Sequence, residues 1–97
     1  MVAMARFSIL QADRECFVCG SRNIHIHEVY FGRNRNNSIK DGCCIFLCPR
    51  HHNMSDEGIH FNQELDLRVK QEMEKKWLEY YDKTIEDFIK RYGRNYL

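Results

Sequence analysis

Cysteine and histidine are confined to one stretch of this chain, and their spacing limits the fold more than any other feature. All five cysteines and all five histidines fall between Cys16 and His60, and the remainder, from Phe61 to Leu97, holds neither. Five is an odd number, so a fully paired disulfide framework would leave one thiol over. The opening residues MVAMARFSIL are too short and too mixed for an export signal. A cytoplasmic, reducing setting is therefore expected, and there free thiols and metal ligands prevail over disulfides.

The spacing favours metal. Cys16-Phe17-Val18-Cys19-Gly20 is a C-x-x-C followed by glycine, in which one tight turn aims two thiolates at one ion. Downstream, Cys48-Pro49-Arg50-His51 forms a C-x-x-H. Together Cys16, Cys19, Cys48 and His51 make a Cys₃His set, the closed donor group of a structural Zn²⁺. Cys43 and Cys44 are left out of it. They belong to an apolar run, residues 43–47, that reads as a buried strand, and strand neighbours face opposite ways.

A staple suits a chain of this size. Ninety-seven residues make one domain, residues 1–97, with a modest core, and short chains bury a smaller share of their surface. No apolar run has the roughly 18–20 residues of a membrane span. Fifteen basic residues against fourteen acidic ones give a net +1, which excludes both a polybasic binder and an acidic disordered tail.

Periodicity orders the rest. Residues 6–11 read as a short edge strand or an extended arm. Residues 23–31 (NIHIHEVYF) alternate with period two and predict a strand, and residues 32–42 (GRNRNNSIKDG) predict a polar loop. Pro49 opens a helix with His51 and His52 in its first turn, and Ser55-Asp56-Glu57-Gly58 interrupts it. A long helix follows from Asn62, with Leu65, Val69, Met73, Trp77 and Tyr80 on its core face. Thr84 and Asp87 predict a capping box opening a last short helix, with Ile85, Phe88 and Ile89 apolar and Gly93 as its cap.

With His51 assigned to zinc, His25, His27, His52 and His60 remain. His51 and His52 can exchange roles, since adjacent histidines point differently. Two strands and a helix can gather such imidazoles, with Glu28 beside them, around a divalent ion that keeps positions open for water and substrate. His25 shares a strand face with His27 but reads as an ordinary exposed histidine. Arg33, Arg35 and Lys40 lie among Asn and Ser on the intervening segment, and these are phosphate-contacting residue types.

The runs His27-Glu28-Val29-Tyr30-Phe31-Gly32, Leu47-Cys48-Pro49-Arg50-His51-His52-Asn53 and Gly58-Ile59-His60-Phe61-Asn62 resemble the small phage-type HNH endonucleases. The resemblance covers residues 16–62, and the end Gly93-Arg94-Asn95-Tyr96-Leu97 is similar too. It implies an α+β fold with a small ββα-metal (HNH, or His-Me finger) core braced by the zinc knuckle, followed by the helical tail 63–97. It implies metal-dependent hydrolysis of DNA phosphodiester bonds, by nicking or double-strand cleavage, with Mg²⁺, Mn²⁺ or Ni²⁺. His27, His52 and His60 then resemble the ligands of that ion, and His27, Glu28 and His52 the catalytic residues. DNA is the implied partner, together with a phage or host protein that tethers the enzyme to it, in the host cytoplasm if phage-encoded.

Two positions depart from the family pattern. Glu28 stands where most members have a second histidine, the general base. Either Glu28 is the base, or Glu28 binds metal and His27 activates water, or catalysis has been silenced. Cys43 stands where the family has its asparagine, leaving Asn34, Asn36, Asn37 and Asn53 as candidates. The competing function is a catalytically silent zinc module that binds DNA or a protein partner.

Overall fold

A computed structural model describes residues 7–53 and 58–97, so Arg6 and the Ser55-Asp56-Glu57 part of the expected break lie outside the described residues. The chain is a mixed α+β structure. In order it forms β1 (His25–Glu28), a 3-10 turn (Gly32–Asn34), α1 (Arg35–Asp41), β2 (Cys44–Leu47), α2 (Pro49–His52), a second 3-10 turn (Ile59–Phe61), α3 (Gln63–Tyr81) and α4 (Ile85–Tyr92). No described helix is long and apolar enough to cross a membrane.

β1 and β2 pair antiparallel, with His25 opposite Leu47 and His27 opposite Ile45. Both strands are shorter than their sequence patterns, because a strand extends only as far as its partner. Beyond Glu28 one more bond, from Val29 N to Cys43 O at 3.0 Å, continues the pairing, and Tyr30 then enters the core. At the other end Pro49, which has no N–H, begins α2.

Side chains and the knuckle backbone satisfy the outer edge of β2. Ser8 Oγ donates to Cys44 O, Phe46 N donates to Gln11 Oε1 at 2.7 Å, and Phe17 N donates to Phe46 O at 2.7 Å. Residues 7–11 are therefore an arm laid along the sheet and not a third strand.

The predicted loop 32–42 is instead a 3-10 turn followed by α1. Its three asparagines are poor helix formers. Two of them gain tertiary bonds that offset this: Asn34 Nδ2 donates to Tyr92 O at 2.9 Å and Asn37 Nδ2 to Arg91 O at 3.1 Å. Gly42 ends α1 at φ +71°, and its N–H reaches back to the carbonyls of Ser38 and Ile39. A Cβ at this position would overlap the Phe7 ring.

Asn62 caps α3 by accepting from Leu65 N at 3.1 Å. Val69, Met73 and Trp77 are buried and Leu65 packs beside them, but Tyr80 is 55 % exposed. Tyr81 turns inward in its place and donates to Asp41 O at 2.8 Å. Thr84 and Asp87 form the reciprocal capping box of α4, and Gly93 closes it at φ +89°. The buried face of α4 centres on Phe88 and Tyr92, which places Ile85 and Ile89 toward solvent at its margin. Phe88 meets Tyr30 edge-on and Tyr92 lies tilted against it, with ring centroids 5.3 and 4.6 Å away.

Asp41 ties the helices together. Its carboxylate accepts from Trp77 Nε1 at 2.9 Å, Tyr92 OH at 2.7 Å and Arg91 Nη2 at 2.8 Å, while Arg91 Nε completes a bidentate pair. Bonds to a charged acceptor contribute roughly 1.5–3 kcal/mol each. One residue at the end of α1 thus fixes α3 and α4, and with them the position of the segment that follows β1.

Candidate metal centres

Gly20 at φ +78° completes the turn after Cys19, with Gly20 N donating to Cys16 O at 2.9 Å and Cys16 N to Ser21 O at 2.8 Å. That turn faces the start of α2, where Cys48 is the N-cap and His51 lies one turn on. Cys16, Cys19, Cys48 and His51 bring their donor atoms within 4.8 Å of one another. The separations are 3.7 Å for Cys19 Sγ to Cys48 Sγ, 3.7 Å for Cys16 Sγ to His51 Nδ1 and 3.2 Å for Cys48 Sγ to His51 Nδ1.

A tetrahedron with Zn–S near 2.3 Å and Zn–N near 2.0–2.1 Å has S···S edges of about 3.8 Å and S···N edges of about 3.6 Å. The group therefore fits a metal ion and is consistent with structural zinc. Burial opposes ionisation of Cys16, but amide donors from Cys48, Cys19 and Val18 outweigh it and hold its pKa at about 6. A thiolate is the form a metal requires. Cys43 and Cys44 are fully buried outside the cluster, and burial pushes the Cys43 thiol up to about 12.

His52, next in sequence to His51, points elsewhere. It joins His27 of β1 and His60 of the Ile59–Phe61 turn, and the three offer ring nitrogens within 4.8 Å of one another. His52 Nε2 and His60 Nε2 are 3.0 Å apart. Two ligands about 2.1 Å from one ion and at right angles to each other are separated by about 3.0 Å.

His27 is 3 % exposed, and its Nε2 has no hydrogen-bond partner among the described residues. Burial, reinforced by His52, His60 and Lys70, lowers its pKa to about 3, so the ring stays neutral and able to ligate. Burial also lowers the pKa of His52, with His60 and His25 adding to the effect. An orphaned buried nitrogen on a neutral ring, with two further imidazoles beside it, suits an ion bound through nitrogen.

These histidines open on a cleft of about 290 Å³ that Glu28, Phe31 and Arg35 also line. The Glu28 carboxylate borders the cleft without joining the histidine trio. Arg33 lines a different cleft, and exposed Lys40, in the last turn of α1, lines neither of the two. Asn34 and Asn37 are engaged with α4, and Asn36 and Asn53 are exposed.

His25 has more than the expected solvent-facing role. Its Nδ1 lies 3.1 Å from Nδ1 of His52, on the side of the ring opposite the trio. A hydrogen bond in which His52 Nδ1–H donates to His25 Nδ1 orients the His52 ring and leaves its Nε2 lone pair toward His60. The sequence signal for this was the period-two placement of His25 and His27 on one strand face. No family model, curated protein or solved structure matches this chain.

One tightly held zinc per chain is the expected result of elemental analysis, released together with the far-UV circular dichroism signal when Cys16→Ser or Cys48→Ser is introduced. A folded, zinc-free protein would contradict the Cys₃His assignment.

Proposed function

We propose that this protein is a metal-dependent HNH-type endonuclease that hydrolyses DNA phosphodiester bonds on a ββα-metal core. The observation that carries this reading is the convergence of His27, His52 and His60 beside an open cleft that also holds a carboxylate and a guanidinium. His27, His52 and His60 hold a divalent cation, and a closed Cys₃His zinc group adjoins them through the neighbouring residue His51. When bound, the cation supplies Lewis-acid stabilisation of charge on the phosphoryl group and on the leaving 3′ oxygen.

Glu28 takes the proton of the attacking water as the new P–O bond forms and the bond to the 3′ oxygen breaks. Solvent protonates the departing oxygen. Arg35 pairs with a non-bridging phosphate oxygen. His25 holds His52 in register. The inclusion of His27 in the nitrogen trio favours Glu28, and not His27, as the base. An all-imidazole donor set also matches Ni²⁺ better than Mg²⁺, which prefers oxygen ligands.

The second reading, a catalytically silent DNA- or protein-binding module, draws on Glu28 in the place of the usual histidine base. DNA as partner, a tethering protein and a location in the host cytoplasm remain parts of the same proposal.

Plasmid nicking separates the two readings. The expected result is nicking in the order Ni²⁺, Mn²⁺, Mg²⁺, abolished by EDTA and reduced at least about 100-fold in His52→Ala. DNA binding without cleavage in all three metals would instead identify the silent module.

The pH–rate profile at saturating metal tests the base. Since His27 loses its proton at about 3, it contributes no change between pH 5 and 8. The profile is expected to lack a limb near about 6.5, the ordinary histidine value. A rising limb there would return the role of base to a histidine.

A further inference from the structure

A second cleft is larger than the histidine cleft. It has a volume of about 540 Å³ and lies between the Gly32–Asn34 turn and the C-terminal end of α4. Arg33, Lys90, Arg91 and Arg94 line it together with Tyr96, and no carboxylate does. In a chain whose net charge is only +1, this is a strong local concentration of positive charge.

The neutralising partners of these cations are accounted for. Arg91 is consumed by its bidentate pair with Asp41. Arg33 and Lys90 make no ion pair among the described residues, and Arg94 lies over the Tyr96 ring at 4.6 Å. Asp87, on the same helix as Lys90, is bonded to Thr84 in the capping box, and Lys83 and Lys90 both favour its charged form without forming an ion pair with it. Cations also collect at helix C-termini because the macrodipole favours them there. That explanation covers Lys90 and Arg91 but not Arg33, which sits on another segment. The α4 carbonyls of Arg91 and Tyr92 are moreover already capped by Asn37 and Asn34.

The same two asparagine bonds tie α1 and the turn before it to the end of α4, and that turn and that end border the cleft. The cleft also adjoins the histidine site through one short stretch of chain. Arg33 lines the basic cleft, and Arg35, two residues on, lines the cleft of His27, His52 and His60. Two residues of one short segment thus place a cation in each of the two clefts.

We propose that this cleft binds the phosphodiester backbone of nucleic acid away from the scissile phosphate, through Arg33, Lys90 and Arg94. The inference rests on the nuclease reading for the identity of its ligand. Backbone contacts of this kind position the duplex without reading its sequence. They also explain how a nearly neutral chain holds DNA: affinity comes from a local set of charges, each phosphate contact releasing counterions.

The test uses the zinc-loaded full chain, a fluorescently labelled DNA duplex and no added divalent metal, with binding followed by anisotropy across a salt series. Lys90→Gln/Arg94→Gln is expected to weaken binding about tenfold and to lower the slope of log K against log salt by about 2. Zinc content and circular dichroism are measured alongside to confirm that the variant is folded. An unchanged affinity and slope, or no duplex binding by wild type, overturns the proposal. Inorganic phosphate that competes fully at sub-millimolar concentration also overturns it, by showing a free-phosphate site. Plasmid nicking in the same preparations keeps the two readings apart. Loss of binding in the variant, with no nicking by wild type in any metal, upholds the cleft and sinks the nuclease. Normal nicking with unchanged binding does the reverse.

Discussion

Four donor atoms from two short segments, Cys16 and Cys19 on one side and Cys48 and His51 on the other, set the geometry of the entire candidate site. Neither segment has much regular structure of its own. The first is a turn, and the second opens a helix of only four residues. Isolated helices of that length are unstable, so the orientation of α2 must come from elsewhere. Convergence of the sulfurs and His51 supplies it. Because His52 is the next residue in the chain, fixing His51 on one group aims His52 at the other, toward His27 and His60.

Asp41 plays the corresponding part among the helices. Its carboxylate gathers Trp77, Arg91 and Tyr92, and Asn34 and Asn37 bind the end of the same helix. These bonds hold α1 against α3 and α4, and α1 carries Arg35 to the histidine cleft. Buried polar networks of this kind are stable only when fully satisfied. The aromatic cluster of Tyr30, Phe88 and Tyr92 packs beneath, so the segment leaving β1 is anchored immediately after Glu28. Each wall of the histidine cleft is therefore tied to the core by something other than the cleft itself.

Local signals in the sequence were readable where the structure makes local bonds. The Cys and His spacing, Asn62 and Thr84 as caps, Pro49 at the start of α2 and Gly93 at the end of α4 all act within a few residues of themselves. What escaped depends on distant partners. Helix α1 was hidden because Asn34, which precedes it, and Asn37 within it bind carbonyls more than fifty positions away. Tyr80 and Tyr81 differ by one position along a helix, and only the location of Asp41 decides which turns inward. The lengths of β1 and β2 follow from their mutual register, which neither pattern contains. His25 was visible as a face-sharing neighbour of His27, but its contact with His52 requires α2 to be placed first.

Two groups of donors with different chemistry thus sit side by side, one rich in sulfur with four protein ligands, the other of three imidazoles facing an open cleft. An ion held by the second group would be bound independently of the first. Isothermal titration of Ni²⁺ into the zinc-loaded protein tests it most directly. One additional equivalent is expected to bind to wild type and none to His60→Ala, with zinc content equal in both. No binding beyond the zinc, or undiminished binding in His60→Ala, would rule out a second ion site on the three histidines.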